Sequence, residues 1–237
     1  MFSPFSFMGS APYPAIDSRF FGLDAYTDSS AGSVRATDTV GGKLLYGDAG
    51  VATNYGAKSW KGGPGTILYY NGTINDWFFT EGTGSFEYVM YFYQPTTFTS
   101  VTNGQVWSST TQNLEYGVGY NNTSTGNTPY ISSPKSATSA TLPALQWHHL
   151  VVTADGTNWK FYVDNTLKQT ISSADNMATL TESTNNYLTF LVSGYPGRTF
   201  AYWNNIAMGA CGCYDTALTT DEITTLYNYY KPLYSLS

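Results

Sequence analysis

The chain has little charge. Of its 237 residues only 11% are charged, 10 Lys or Arg against 16 Asp or Glu. The cations are scattered, and neutralising phosphates takes several of them in a cluster, so a nucleic-acid partner is excluded. Cysteine is scarce as well, Cys211 and Cys213 being the whole supply. Two thiols neither build a disulfide framework nor hold a structural zinc by themselves. At positions i and i+2 of a strand they share a face about two rises of 3.3 Å apart, the long limit for a disulfide. They read as small buried apolar residues. Long apolar runs are missing: none approaches the ~18 residues of a membrane-spanning helix, so no membrane insertion is expected. The opening stretch, MFSPFSFMGSAPYPAIDSRFFG, lacks the basic start and continuous apolar segment of a secretory signal. The expectation is a chain made without that export route, or one that has lost its leader.

What fills the space is aromatic, small and polar. Aromatics make up 17% of residues, 21 of them Tyr, with 23 Gly among abundant Ser, Thr and Asn. Aromatic and β-branched side chains suit a half-buried pleated surface, while Gly and Asn supply turns. Residues 1–20 carry Pro and Phe without periodicity and read as an extended arm, leaving 21–237 as one domain. Short alternating runs follow. In SFEYVMYFYQP (85–95), Phe86, Tyr88, Met90 and Phe92 line one face, with Glu87, Val89, Tyr91 and Tyr93 on the other. Asn103-Gly104 is a hairpin signal, and 121–128 reads as a loop rich in Asn, Thr, Ser and Gly. Strands at this spacing with almost no helix predict an all-β sandwich or jelly roll. One helix is legible near the end. Thr219 and Glu222 form a capping box, Ile223, Leu226, Tyr227 and Tyr230 fall on one face, and Pro232 is read as its stop.

The stretch WHHLVVTADGTNWKFYVDNTLKQT (147–170) decides between metal chemistry and packing. Adjacent residues of a strand point to opposite faces, so His148 and His149, the only histidines, do not share one metal ion. One ring is expected in the core or beside Trp147 and the other in solvent. This stretch resembles the central hairpins of laminin G-like domains of the concanavalin A-like lectin/glucanase superfamily. GACGCYDTALTTDEITTLYN is similar to that family's closing strand and helix, and GGPGTILYYNGTINDWFF and FEYVMYFYQP to its upstream strands. The likeness covers about residues 22 to 231. It implies a jelly roll of two curved antiparallel sheets with one short C-terminal helix, and leaves function open.

Glycoside hydrolysis needs two placed carboxylates, which the superfamily's glucanases carry as Glu-x-Asp-x-x-Glu on one strand. No Glu of this chain begins that pattern, nor is there a Gly-x-Ser-x-Gly elbow, so an enzyme is not expected. The resemblance brings calcium in as a cofactor, with Asp76, Asp155 and Asp164, and Asp175 besides, as loop-edge candidates for oxygen ligands; as turn residues they would instead bond their own backbone. Sugar binding would use aromatic faces beside Asn- or Gly-rich loops, for which Trp107, Tyr116, Tyr120, Tyr195 and Trp203 are the candidates. For each residue taken singly, a place in the core or an interface is the commoner use. Phe2, Phe5, Phe7 and Tyr13 would anchor the arm on a neighbouring protein subunit. Uncharged aromatic β modules of this composition recur on virion surfaces, as phage decoration, fibre or tail-appendage proteins. The reading is therefore a non-catalytic structural or attachment module of a virion, assembled in the host cytoplasm, with cell-surface glycans as further partners. The alternative is an extracellular or cell-surface lectin domain, and a glycoside hydrolase stands third.

Overall fold

Alternating runs become paired strands in the computed structural model, which describes residues 13–48, 50–61, 68–70, 83–92, 103–111, 114–123, 126–132, 143, 145–172, 187–190, 194–195, 198–199 and 206–237. The first strands are β1 (Arg19–Asp24), β2 (Val34–Thr37), β3 (Leu44–Gly47), β4 (Val51–Asn54), β5 (Ala57–Lys61) and β6 (Leu68–Tyr70). The long central ones follow: β7 (Thr83–Phe92), β8 (Asn103–Thr111), β9 (Leu114–Thr123), β10 (Gly126–Ser132), β11 (Gln146–Asp155), β12 (Asn158–Val163) and β13 (Thr166–Ser172). Then come β14 (Tyr187–Phe190), the short β15 (Gly194–Tyr195) and β16 (Arg198–Thr199), β17 (Ile206–Tyr214) and a helix, α1 (Thr220–Tyr234).

An eight-stranded antiparallel sheet runs β13-β12-β11-β7-β17-β5-β4, with β1 also paired to β17. A seven-stranded sheet runs β10-β9-β8-β14-β6-β3-β2, and β15 pairs with β16. The alternation read along residues 85–91 sorts side chains between two cores. Phe86, Tyr88 and Met90 join Leu150 and Val152 of β11 in the core between the sheets, where Ala36, Leu45, Leu68 and Phe190 arrive from the seven-stranded sheet. Phe21 of β1 and Phe190 of β14 stack there with centroids 5.6 Å apart. Cys211 and Cys213 share that face, free and buried.

The second core lies outside the sandwich. Val89, Trp147, Val151 and Ala207 on the outer face of the eight-stranded sheet are covered by Ile223, Leu226, Tyr227 and Tyr230 of α1. Burying each large apolar side chain this way contributes roughly 1.5–3 kcal/mol. The helix opens on the expected capping box, Thr219 accepting from the Glu222 amide while the Glu222 carboxylate accepts from the Thr219 amide. Pro232, read as the stop, lies inside its last turn. The helix ends instead at Ser235, whose left-handed backbone lets its amide return to the Lys231 carbonyl.

Two loop readings also give way to strand. Asn103-Gly104 opens β8, opposite Asn121 and Tyr120, and makes no turn. Most of 121–128 belongs to the β9–β10 hairpin, with Asn122 facing Asn127. Cross-strand partners overrule a dipeptide's local preference wherever pairing continues on both sides.

One edge of β17 pairs with β7, and its other edge is divided. Ala210–Tyr214 takes β1, while Ala207 and Met208 take β5. The register slips between them at Gly209, where a Cβ would stand 2.2 Å from Cε1 of Tyr234. Bare backbone there is what admits the last turn of α1 against the sheet. Gly209→Ala should therefore lower stability by about 1–3 kcal/mol through overpacking, read as a fall in the thermal midpoint together with a change in near-ultraviolet circular dichroism from the displaced Tyr234.

Candidate functional site

Glu87 is 0% exposed, on the face of β7 that α1 covers. In register across the sheet it sits between Val151 of β11 and Gly212 of β17, and Gly212 in turn faces Gly22 of β1. The two glycines leave a trough. A Cβ on Gly212 would stand 2.8 Å from Glu87 Oε1, and one on Gly22 would stand 1.9 Å from Arg19 Nη2. Into this trough comes Tyr13, from the segment before β1. Its hydroxyl donates to Glu87 Oε1 at 2.6 Å, beside Tyr214 at 2.8 Å and Tyr230 at 3.3 Å. His149 Nε2 lies 3.2 Å from Oε2. The Arg19 guanidinium stacks 3.6 Å above the Tyr13 ring and reaches the Cys211 carbonyl at 3.4 Å.

The charge state follows from these partners. Burial pushes the Glu87 carboxyl up, but the bond and charge of His149, the Arg19 charge and the Tyr13 hydroxyl outweigh it. The net result is a carboxyl below its ordinary value. An ionised Glu87 only accepts, so His149 Nε2 carries the proton it donates, and Nδ1 is left buried without a partner. Tyr13, Tyr214 and Tyr230 are held well above the usual phenol value, by burial first and then by the Glu87 charge. They remain neutral donors. The buried carboxylate acts as a clamp joining β7, β11, β17, α1 and the N-terminal segment.

The histidine expectation therefore needs correcting. The rings do point to opposite faces, but each residue is only 1% exposed. His148 joins Asp164 Oδ2 at 2.7 Å and the Pro143 carbonyl at 3.0 Å, while His149 lies under α1 against Glu87. Neither faces solvent, because α1 covers the side that strand alternation alone leaves open. Tyr13, grouped with the arm by sequence, belongs to the domain's own interior.

Two of the calcium candidates, Asp155 and Asp164, are described, the first bonding its own turn and the second bonding across to β11. Asp155 accepts from the amides of Thr157 and Asn158 and pairs with Lys160 at 3.3 Å. Those amide bonds hold its carboxyl below the ordinary value. Asp164 takes the His149 amide and the His148 ring. Among the described residues no three His, Cys, Asp or Glu side chains are placed to hold a metal. Asp76, Asp175, Trp203, Phe2, Phe5 and Phe7 lie outside the described residues.

Four of the five aromatic candidates fall on described strands. Trp107 of β8 is in register with Phe190 of β14 and with Val118 of β9. Tyr116 and Tyr120 share the face of Val118. Tyr195 is in the separate β15–β16 pair, opposite Arg198. The segments beside these residues read as loops and are strands, hence the shift from rim to register positions. On the outer face a different row crosses the sheet. Tyr46 faces Tyr69, Tyr69 faces Thr189, Thr189 faces Ser108, Ser108 faces Gly117, and Gly117 faces Ser132. The Tyr46 and Tyr69 rings, both half-buried, are 6.3 Å apart.

The family model described as the concanavalin A-like lectin/glucanases superfamily, of laminin G type, matches residues 73–224, over half of the chain. The chain belongs to this superfamily. No curated protein sequence matches it. Among solved structures, Trypanosoma rangeli sialidase in complex with sialic acid is similar at a TM-score of 0.64 and 12% identity, over 94% of this chain and 34% of that one. The receptor binding domain of botulinum neurotoxin C/D mosaic serotype is similar at a TM-score of 0.64 and 16% identity, over 90% of this chain and 51% of that one. The chain thus spans about a third of the sialidase and half of the toxin domain. At such identity the likeness concerns the fold.

In this superfamily member the Glu87 clamp predicts acid lability. A carboxyl depressed on folding adds stability that is complete above its unfolded value, about 4.3, and is lost as pH falls through the folded value. Tyr214→Phe, which removes one donor, should cost about 1–2 kcal/mol and shift the acid midpoint to higher pH, as followed by circular dichroism during acid titration.

Proposed function

We propose that the chain is a non-catalytic attachment module that holds a glycan along the outer face of its seven-stranded sheet. The row from Tyr46 to Ser132 carries this reading. Six positions on adjacent strands, about 4.8 Å apart, span roughly 24 Å, the reach of an oligosaccharide rather than of one sugar. Half-buried Tyr46 at one end offers a ring face to a pyranose, beside Tyr69, which also packs against the core between the sheets, and Thr189, Ser108 and Ser132 are hydroxyl residues of the kind that bond sugar hydroxyls. The row has no charged residue, which fits a neutral chain. α1 lies on the other sheet, so among the described residues no helix covers this face. Binding of sialic acid and of a receptor belongs to the similar proteins named above, and serves as precedent for ligand capture on this fold.

Two features favour binding over hydrolysis. Glu87 is sealed by four donors, and no Glu begins the Glu-x-Asp-x-x-Glu strand pattern. As the setting we place the module on a virion surface. The support is compositional: scarce charge, abundant Tyr, Gly, Thr and Asn, and an N-terminal stretch with Phe2, Phe5 and Phe7 suited to docking on a neighbouring subunit. A secreted or cell-surface lectin domain is the second reading, resting on the same outer row.

The site is tested on a glycan array followed by calorimetry of the hits. Tyr46→Ala should weaken binding about tenfold, or 1.4 kcal/mol, leaving the fold intact. An array without hits sinks the glycan reading. The setting is tested by density-gradient fractionation of the producing culture with mass spectrometry of each fraction. Co-migration with particles is expected, and a protein confined to the top of the gradient rejects the virion in favour of the lectin.

A further inference from the structure

We propose that residues 13–19 form a releasable strap, seated on the eight-stranded sheet by the Glu87 carboxylate and unseated when that carboxylate is neutralised. Apart from the Ile16 carbonyl, which accepts from the adjoining Arg19 amide at 3.0 Å, the hydrogen bonds found for 13–17 among the described residues run through the Tyr13 hydroxyl, to Glu87 at 2.6 Å and Tyr214 at 3.0 Å, while the Tyr13 ring packs edge-on to Tyr229 and Tyr230. The next tie is the Ser18 carbonyl, which accepts from the Asp215 amide at 3.0 Å, and regular pairing starts with Arg19 of β1. The seat is also an imperfect one. Ser18 Oγ and Arg19 Nε are buried without partners, as are His149 Nδ1 and Tyr234 Oη. These four are the buried side-chain atoms found without a partner among the described residues, and all belong to the layer formed by strap, sheet face and α1. An unpartnered buried polar atom opposes burial, so seating leans on the few bonds that favour it.

Every element packed around Glu87 contributes a group to its titration. The strap and β1 bring Tyr13, Arg19 and, further along, Asp24. β11 brings His149, β17 brings Tyr214, and α1 brings Tyr230 with Tyr229 on Asp24. The phenols stay neutral and Arg19 stays charged across the acid range, which leaves Glu87 as the carboxyl whose protonation alters the Tyr13 bond. With Glu87 depressed, the strap remains seated at neutral and mildly acid pH and leaves as the carboxylate takes its proton. Asp24, raised by burial despite the Tyr26 amide and Tyr229 hydroxyl, protonates first and leaves the Tyr13 bonds in place.

Amide hydrogen exchange of the full chain, read by mass spectrometry at about pH 7 and about pH 3, tests the latch. In Glu87→Gln at neutral pH, the Arg19 amide, which bonds Ile16, and the Asp215 amide, which bonds Ser18, should exchange at least about tenfold faster, with β7 and β11 still protected. Tyr13→Phe should do the same and remove the response of the strap to acid. If Glu87→Gln does not fold, Tyr13→Phe decides alone. Strap protection unchanged in the variants, or strap and sheet opening together in acid, overturns the proposal.

Discussion

A single buried negative charge organises the outer half of this protein. Glu87 belongs to a strand whose inward residues build the core between the sheets, yet it faces the other way, beneath α1. A carboxylate in that position is tolerable only with donors on every side, since desolvation of an unpaired ion costs several kcal/mol. Three tyrosines and a histidine supply them from four separate parts of the chain. Each donor fixes its own element in turn, so the placement of helix, N-terminal segment and β17 depends on this one ion. Gly22 and Gly212 belong to the same constraint, because side chains there would fill the space that Arg19, Glu87 and Tyr214 occupy.

The consequence for function is a division between two outer faces. One is covered by α1 and the clamp, and its perturbed groups bond one another there. The other carries a row of aromatic, hydroxyl and small residues with no helix over it among the described residues. The shifted groups thus belong to structural cohesion, and the proposed recognition row lies on the other sheet, with Glu115 of β9 two positions along from Gly117.

Much of the fold was legible from residue patterns. Phe86, Tyr88 and Met90 alternate with Glu87 and Val89 as a half-buried strand must, and Thr219 with Glu222 announces the helix. What alternation cannot disclose is the identity of the layer lying on each face. His149 and Glu87 look solvent-facing until α1 and Tyr13, respectively 71 or more and 74 positions away along the chain, close over them. Local signals also lose to pairing. Asn103-Gly104 reads as a turn and extends a strand, because Asn121 and Tyr120 are already in register to receive it. The segments beside Trp107, Tyr116 and Tyr120 look like loops and are paired strands for the same reason. An isolated Glu within SFEYVMYF was the available clue to the clamp, since a carboxylate amid such large apolar neighbours requires partners.

The division between a sealed face and an open one is tested most directly by titrating isotope-labelled protein with a bound oligosaccharide and mapping the amide shifts. The account predicts changes along β3, β6, β14 and β8 around Tyr46 and Tyr69, with Tyr13, His149 and α1 silent and the oligosaccharide recovered intact. Changes centred on the α1 face, or a cleaved sugar in the tube, would contradict it.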